Sequence, residues 1–313
     1  MSLLLAVVPN DDVPKIVALT ETFNKIGSVL FTVVVGLTSY VTYPDVSFVF
    51  YILGGAGITA AVCVLLIPPA TMDDSRARQL CSGSNDSAMS ESSPLRYREL
   101  FRNRNIVIFG LLTFLYHLSN AGITPLVAQL IAREIENERK SLLFASLALC
   151  IFYCVQAVST YIVGRTYKRF SYKTLLLLAI LILPIRCSML AFLTMFAPNE
   201  FALVSTQIFE GVGAGIYDTL MPLVVKRLVE GTGHYGFTYG FILTCWRIGH
   251  ALSVLLGEFI LKESSYEVAF FTLGGLGVLV AAVFLFCINI PPASPCTHHR
   301  VLPAGSPSPS QSL

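Results

Sequence analysis

Apolar residues run along this chain in blocks of about 20, each long enough as a helix to cross a ~30 Å hydrocarbon core. Eight such spans are read, at 26–43, 47–67, 106–132, 142–164, 174–196, 202–225, 237–260 and 267–289. The opening MSLLLAVVP is too short to span, and no cleavage-site pattern follows it. Two stretches interrupt the rhythm. Residues 70–104 are rich in Ser, Arg and acids, with little apolar periodicity, and read as a linker disordered up to the basic RYRELFRNR. Residues 291–313 form a Pro/Ser-rich tail, whose His298–His299 pair reads as solvated rather than metal-bound. The expected fold is all-α, a polytopic membrane helix bundle of about eight transmembrane helices. Its parts are an N-terminal segment with two helices at 1–69, a cytosolic linker at 70–104, a six-helix lobe at 105–290 and a disordered tail at 291–313.

Composition sharpens this picture. Of 313 residues 54% are hydrophobic and 13% charged, against roughly 25% charged in soluble domains. Mean hydropathy is +0.70. This removes the soluble-domain classes, and a net charge of +2 gives no reason to expect nucleic acid as a partner. The partners expected are the lipid bilayer and a small solute. Eight cysteines (63, 81, 150, 154, 187, 245, 287 and 296) lie mostly inside apolar runs and form no Cys-x-x-Cys. They read as small buried apolar residues rather than as disulfides or metal ligands, so no metal or cofactor is expected.

Lys and Arg in the loops set an expected orientation. The long linker carries Arg76, Arg78, Arg96, Arg98, Arg102 and Arg104, the loop RTYKRFSYK carries four basic residues, and Lys226 and Arg227 end the sixth span. These loops share one side. On the other, YVTYPD and APNE carry no Lys or Arg, and REIENERK alone is discordant. Both termini and the linker are therefore expected in the cytosol, and the sequon Asn85-Asp86-Ser87 is expected to stay unglycosylated.

Charges inside the spans carry the candidate chemistry. Arg186, in LPIRCS, falls about 18 Å from the inner end of its helix. Glu210, on the next and antiparallel helix, falls about 12 Å from its outer end, which is the same level in a ~30 Å core. Neighbouring antiparallel helices pack together, so the two charges are expected to pair, since either alone is costly in hydrocarbon. His117 and Asn120 share one helix face, as do Arg247 and His250, at similar depth. Asp218 follows Glu210 by two turns on nearly the same face, closer to the cytosol. Ionisable groups gathered at one depth mark a substrate path or a proton relay in a water-lined cavity. The competing reading makes Arg186–Glu210 a structural clasp and the histidines hydrogen-bonded core residues. Gln129, Gln156, Gln207 and Glu258 are weaker candidates.

The glycine clusters EGVGAGIYD, GGAGIT and GGLGVL lie within spans and follow no strand, so they are not nucleotide loops. Gly211 and Gly215 form a G-x-x-x-G that permits close helix contact, with Gly213 thinning another face. Pro125, Pro184 and Pro222 also fall within spans, where packing accounts for each.

The order of elements and several stretches resemble the major facilitator superfamily of transporters. ALTETFNKIGSVLF resembles the lead into its fifth helix, and GITPLVAQLIA, LPIR and QIFEGVGAGIYDTLMPLVVKRLVEGTGHYGFTYG resemble its seventh, ninth and tenth-to-eleventh helices. GRTYKRFSYK is similar to its basic loop motif: Gly164, Arg165, Arg169, Phe170 and Lys173 match, while Lys168 replaces the expected acid and Ser171 the expected glycine. The resemblance covers most of residues 20–290 and implies a twelve-helix transporter, of which eight helices are present. What it implies is a small-solute transporter or a fragment of one, its missing helices lost by truncation or supplied by a longer chain or a partner subunit. The intramembrane Glu210, Asp218 and the histidines add proton coupling to that reading. Two other readings remain: a transport-inactive membrane protein that binds or regulates a full-length relative, and a membrane-embedded transferase. The transferase is disfavoured, because no H-E-x-x-H or paired-carboxylate motif exists and the candidates lie near the midplane. The chain is not expected to be an enzyme.

Overall fold

The structure is a computed structural model, and it describes residues 2–8, 12–45, 47–66, 103–167, 169–196, 199–230 and 232–288. Most of the expected linker, all of the tail 291–313, the Asn85 sequon, His298–His299, Lys168, Cys81 and Cys296 lie outside these residues. Among the described residues, every regular element is a helix. They are α1 (Ser2–Val7), α2 (Val13–Thr42), α3 (Ser47–Leu65), α4 (Arg104–Asn120), α5 (Ile123–Glu134), α6 (Glu138–Thr166), α7 (Tyr172–Phe196), α8 (Glu200–Ser205), α9 (Gln207–Leu228), α10 (Tyr235–Glu263) and α11 (Tyr266–Cys287). Counting α4–α5 and α8–α9 each as one span gives, among the described residues, eight helices long and apolar enough to cross a membrane.

Local chemistry sets the helix starts. Asn103, Asn137 and Asn199 each accept a backbone N–H of the following helix, at 3.1, 3.1 and 2.9 Å, which satisfies groups a helix start leaves unpaired. The first long helix differs from expectation. It begins at Val13 with a proline in its first turn, where the missing N–H costs nothing. The expected start at residue 26 stopped at the polar Glu21–Lys25 segment. That segment is helical and packed instead.

α6 is flanked by α2 on one side and α9 on the other; α7 lies between α9 and α11, and α4 between α10 and α11. α3 rests against α2 and buries no residue. Small residues set the closest seams. A Cβ added at Gly164 would lie 2.4 Å from Ala18 Cβ, and one at Gly36 would lie 2.6 Å from Ser146 Cβ. These contacts are 18 residues apart on both antiparallel helices, about 27 Å of rise. The α2–α6 seam therefore crosses nearly a whole hydrocarbon core.

The G-x-x-x-G on α9 does as its spacing implies. Gly211 abuts Phe152 O and Val155, and Gly215 abuts Ser159 and Gln156 O, all on α6, while Gly213 faces Ala179 and Ile182 on α7. Gly54, Gly55 and Gly57 on α3 meet nothing within 4 Å. The cysteines depart from expectation. Of the six described, Cys187 is buried, whereas Cys63, Cys154 and Cys287 are exposed. An outward apolar residue is what a helix facing lipid presents, so burial was the wrong inference from an apolar run.

Candidate functional site

Two of the eight spans are interrupted within their length. Between α4 and α5 the chain turns at Ala121–Gly122, and Pro125 cannot donate to the carbonyl four residues back. The Gly122 N–H is redirected to Ser253 Oγ of α10 at 2.7 Å, and a Cβ at Gly122 would lie 2.5 Å from Ser253 O. Between α8 and α9, Thr206 closes a tight turn: its N–H reaches Leu203 O at 3.2 Å and its carbonyl accepts Phe209 N–H at 3.1 Å. Broken backbone at membrane depth survives where protein groups satisfy it.

The charge network sits beside both interruptions. Arg186 on α7 donates through Nη1 to Glu210 Oε2 on α9, and through Nη2 to Gln207 Oε1 at 3.2 Å. Asn120, the last residue of α4, donates Nδ2 to Glu210 Oε1 at 2.8 Å. Arg186 is 0% exposed and Glu210 9%, so this ion pair is held out of solvent within the lobe. Sequence depth had paired Arg186 with Glu210, and the structure brings them together. Gln207, among the weaker candidates from the sequence, joins Arg186, Glu210 and Asn120 as the fourth member. Beside the network is a cavity of about 10 Å³ lined by Tyr116, Asn120, Arg186, Glu210 and others, about the space of one water. Of the candidates, Asn120, Arg186 and Glu210 line it.

The remaining candidates occupy separate places. Asp218 accepts from Gln156 Nε2 of α6 at 2.9 Å and from Lys25 Nζ of α2 at 3.3 Å, and Lys25 also lies 3.8 Å from Glu21. Glu210 and Asp218 do not share a face: eight residues of helix leave them about 80° apart, and they serve different neighbours. Lys25 and Glu21 were missed because they preceded the expected first span. The signal that would have found them is Pro14 after Asp12, a helix start.

His117 is buried among aromatic rings, stacked on Trp246 at 4.9 Å and edge-on to Tyr217 at 5.5 Å. Its Nε2 and Trp246 Nε1 have no hydrogen-bond partner. Tyr116 stacks on Tyr217 at 4.3 Å, and Tyr217 OH donates to Thr113 at 2.9 Å. Arg247 and His250 are exposed on α10, with the Arg247 guanidinium 5.0 Å from the Trp246 ring. Gln129 donates to Glu258 at 2.6 Å on the exposed surface, near the end opposite the α6–α7 loop.

The loop motif ties helix ends together. Gly164 is the point of closest approach to α2. Arg165 lies 4.7 Å from the Tyr161 ring. Lys173 Nζ donates to Leu285 O at 3.2 Å and to Ile288 O at 2.9 Å, capping the last turn of α11 with a cation where the helix dipole favours one. Arg169 N–H closes a turn onto Thr166 O at 2.8 Å, and Phe170 is exposed.

Known sequences agree with this architecture. The profile of the Major Facilitator Superfamily matches residues 109–301. Two relatives, each described as an uncharacterized MFS-type transporter, come from Mycobacterium tuberculosis strains CDC 1551 / Oshkosh and ATCC 25618 / H37Rv. Each is 32% identical over 273 residues, covering 87% of this chain and 62% of the relative. The chain thus spans about three-fifths of the length of the relatives it matches. With its eight membrane-length helices and more than half of its residues inside the family profile, the chain belongs to the Major Facilitator Superfamily as an integral, multi-pass membrane protein.

Proposed function

We propose that the chain supplies one six-helix lobe, residues 105–290, and two helices of the other lobe, within 1–69, to a transporter that moves a small solute by alternating access. The observation that carries this reading is the pair Arg247 and His250, exposed on α10 some 18 to 22 Å along the helix from Tyr235. Charged or ionisable side chains at that depth are not stable against lipid tails and face water or another protein element. A second lobe across that face, enclosing an aqueous solute path, meets the requirement. The Arg186–Glu210–Asn120–Gln207 network then stands behind the path at the same depth. Asp218, held by Lys25 of α2, lies nearer the end that carries the α6–α7 loop. Glu210 and Asp218 act as the proton-carrying groups, with His117 and His250 alongside, and the distribution of loop cations supports a cytosolic side for both termini and the linker.

The test uses liposomes under an imposed pH gradient, a mixed pool of small metabolites outside, and mass spectrometry of the lumen. The chain extended upstream to the twelve helices of a complete transporter should concentrate at least one solute. The chain as given should give little or no uptake. Concentrative uptake by this chain as a monomer would overturn the two-lobe reading. Specific association of the chain with a full-length relative, with no uptake in either form, would favour the regulatory reading instead.

A further inference from the structure

We infer that the outer seam between α2 and α6 holds an anionic lipid. Where Gly164 lets Ala18 close on α6, the two helices leave a groove of about 100 Å³ lined by Lys15, Ala18, Leu19, Tyr161, Gly164 and Arg165. Its walls are apolar, and its charged side chains, Lys15 and Arg165, are both cations and both exposed. Neither has a carboxylate partner among the described residues: Arg165 meets only the Tyr161 ring, and the nearby Glu21 lies by Lys25.

Depth fixes the kind of ligand. The Ala18–Gly164 contact is one end of a seam about 27 Å long, so Lys15 and Arg165 stand at the boundary of the hydrocarbon core. An apolar slot running into the core beneath two unpaired cations fits an acyl chain below and a phosphate above. Charge complementarity selects a lipid of net negative headgroup over a zwitterionic one, with about 1 kcal/mol per cation near such a surface.

Tyr161→Trp places a fluorophore in the groove, while the native Trp246 remains inside the lobe as a constant background. In vesicles of zwitterionic lipid, brominated phosphatidylglycerol at low mole fraction should quench the added tryptophan several-fold more than brominated phosphatidylcholine. Lys15→Gln with Arg165→Gln should remove that preference, and Lys15→Arg should keep it, with unchanged helicity by circular dichroism in each. Equal quenching by the two lipids, or a preference that survives loss of both cations, overturns the site. Relief of quenching by millimolar soluble phosphate identifies an anion site without lipid selectivity and also overturns it.

Discussion

The energetics of this lobe turn on one fully buried guanidinium. Arg186 is 0% exposed; Glu210 supplies the compensating charge, Gln207 accepts from Nη2 and Asn120 donates to Glu210, while Arg186 Nε has no hydrogen-bond partner. Removing one partner of such a pair leaves an uncompensated buried charge, a loss of about 3–5 kcal/mol in soluble proteins. Glu210→Gln should therefore lower stability in detergent steeply. Glu210→Gln combined with Arg186→Leu should recover part of the loss, because residues in contact are non-additive. Thermal or denaturant unfolding of the four-member cycle measures this, and strict additivity would mean the pair contributes no coupling. The pair was legible in the sequence because depth along two consecutive helices is simple arithmetic. Its partners Gln207 and Asn120 were harder to rank, since amides bond in many ways and only packing selects the way used. His117 is expected on a substrate or proton path; its aromatic enclosure by Trp246 and Tyr217 was not legible, because it depends on helices distant in sequence.

At the scale of helices, glycines decide where elements touch. A Cβ at Gly249 of α10 would lie 2.4 Å from the Phe114 carbonyl oxygen, a backbone atom that cannot rotate away. Gly275 of α11 meets nothing within 4 Å. Gly249→Ala should cost about 1–3 kcal/mol through overpacking, whereas Gly275→Ala should be neutral or gain up to about 1 kcal/mol from helix propensity. Melting temperatures of the two variants side by side check this. Spans and their number were readable from apolar length, and so was the G-x-x-x-G seam. The start of α2 was not, because Glu21 and Lys25 look like the edge of a span when read alone. Lys25 is tied into the bundle by donating to the Asp218 carboxylate of α9, which also accepts from Gln156 of α6. The faces of Glu210 and Asp218 were also misjudged, since 80° separates two neighbours in a packed bundle.

At the scale of the whole molecule, the loop cations predict which connections face the cytosol. In a background without native thiols, a single cysteine placed at 75–95 should react with a membrane-impermeant reagent only after cells are permeabilised. One placed at Glu136, in the α5–α6 connection, should react in intact cells. Labelling in the reverse order would invert the proposed topology.

The coupling claim is tested most directly by comparing two modes of transport in the twelve-helix form. Proton-driven accumulation requires a group that takes up and releases a proton during the cycle, whereas downhill exchange of a solute that the uptake assay has identified moves no net proton. With that solute, and with rates normalised to the folded fraction of each variant, Glu210→Gln and Asp218→Asn should each reduce accumulation under a pH gradient at least tenfold and leave exchange within about threefold, that is, at least about 1.4 kcal/mol against less than about 0.7 kcal/mol. Accumulation that ignores both substitutions and the pH gradient would contradict the proposed coupling role of these carboxylates.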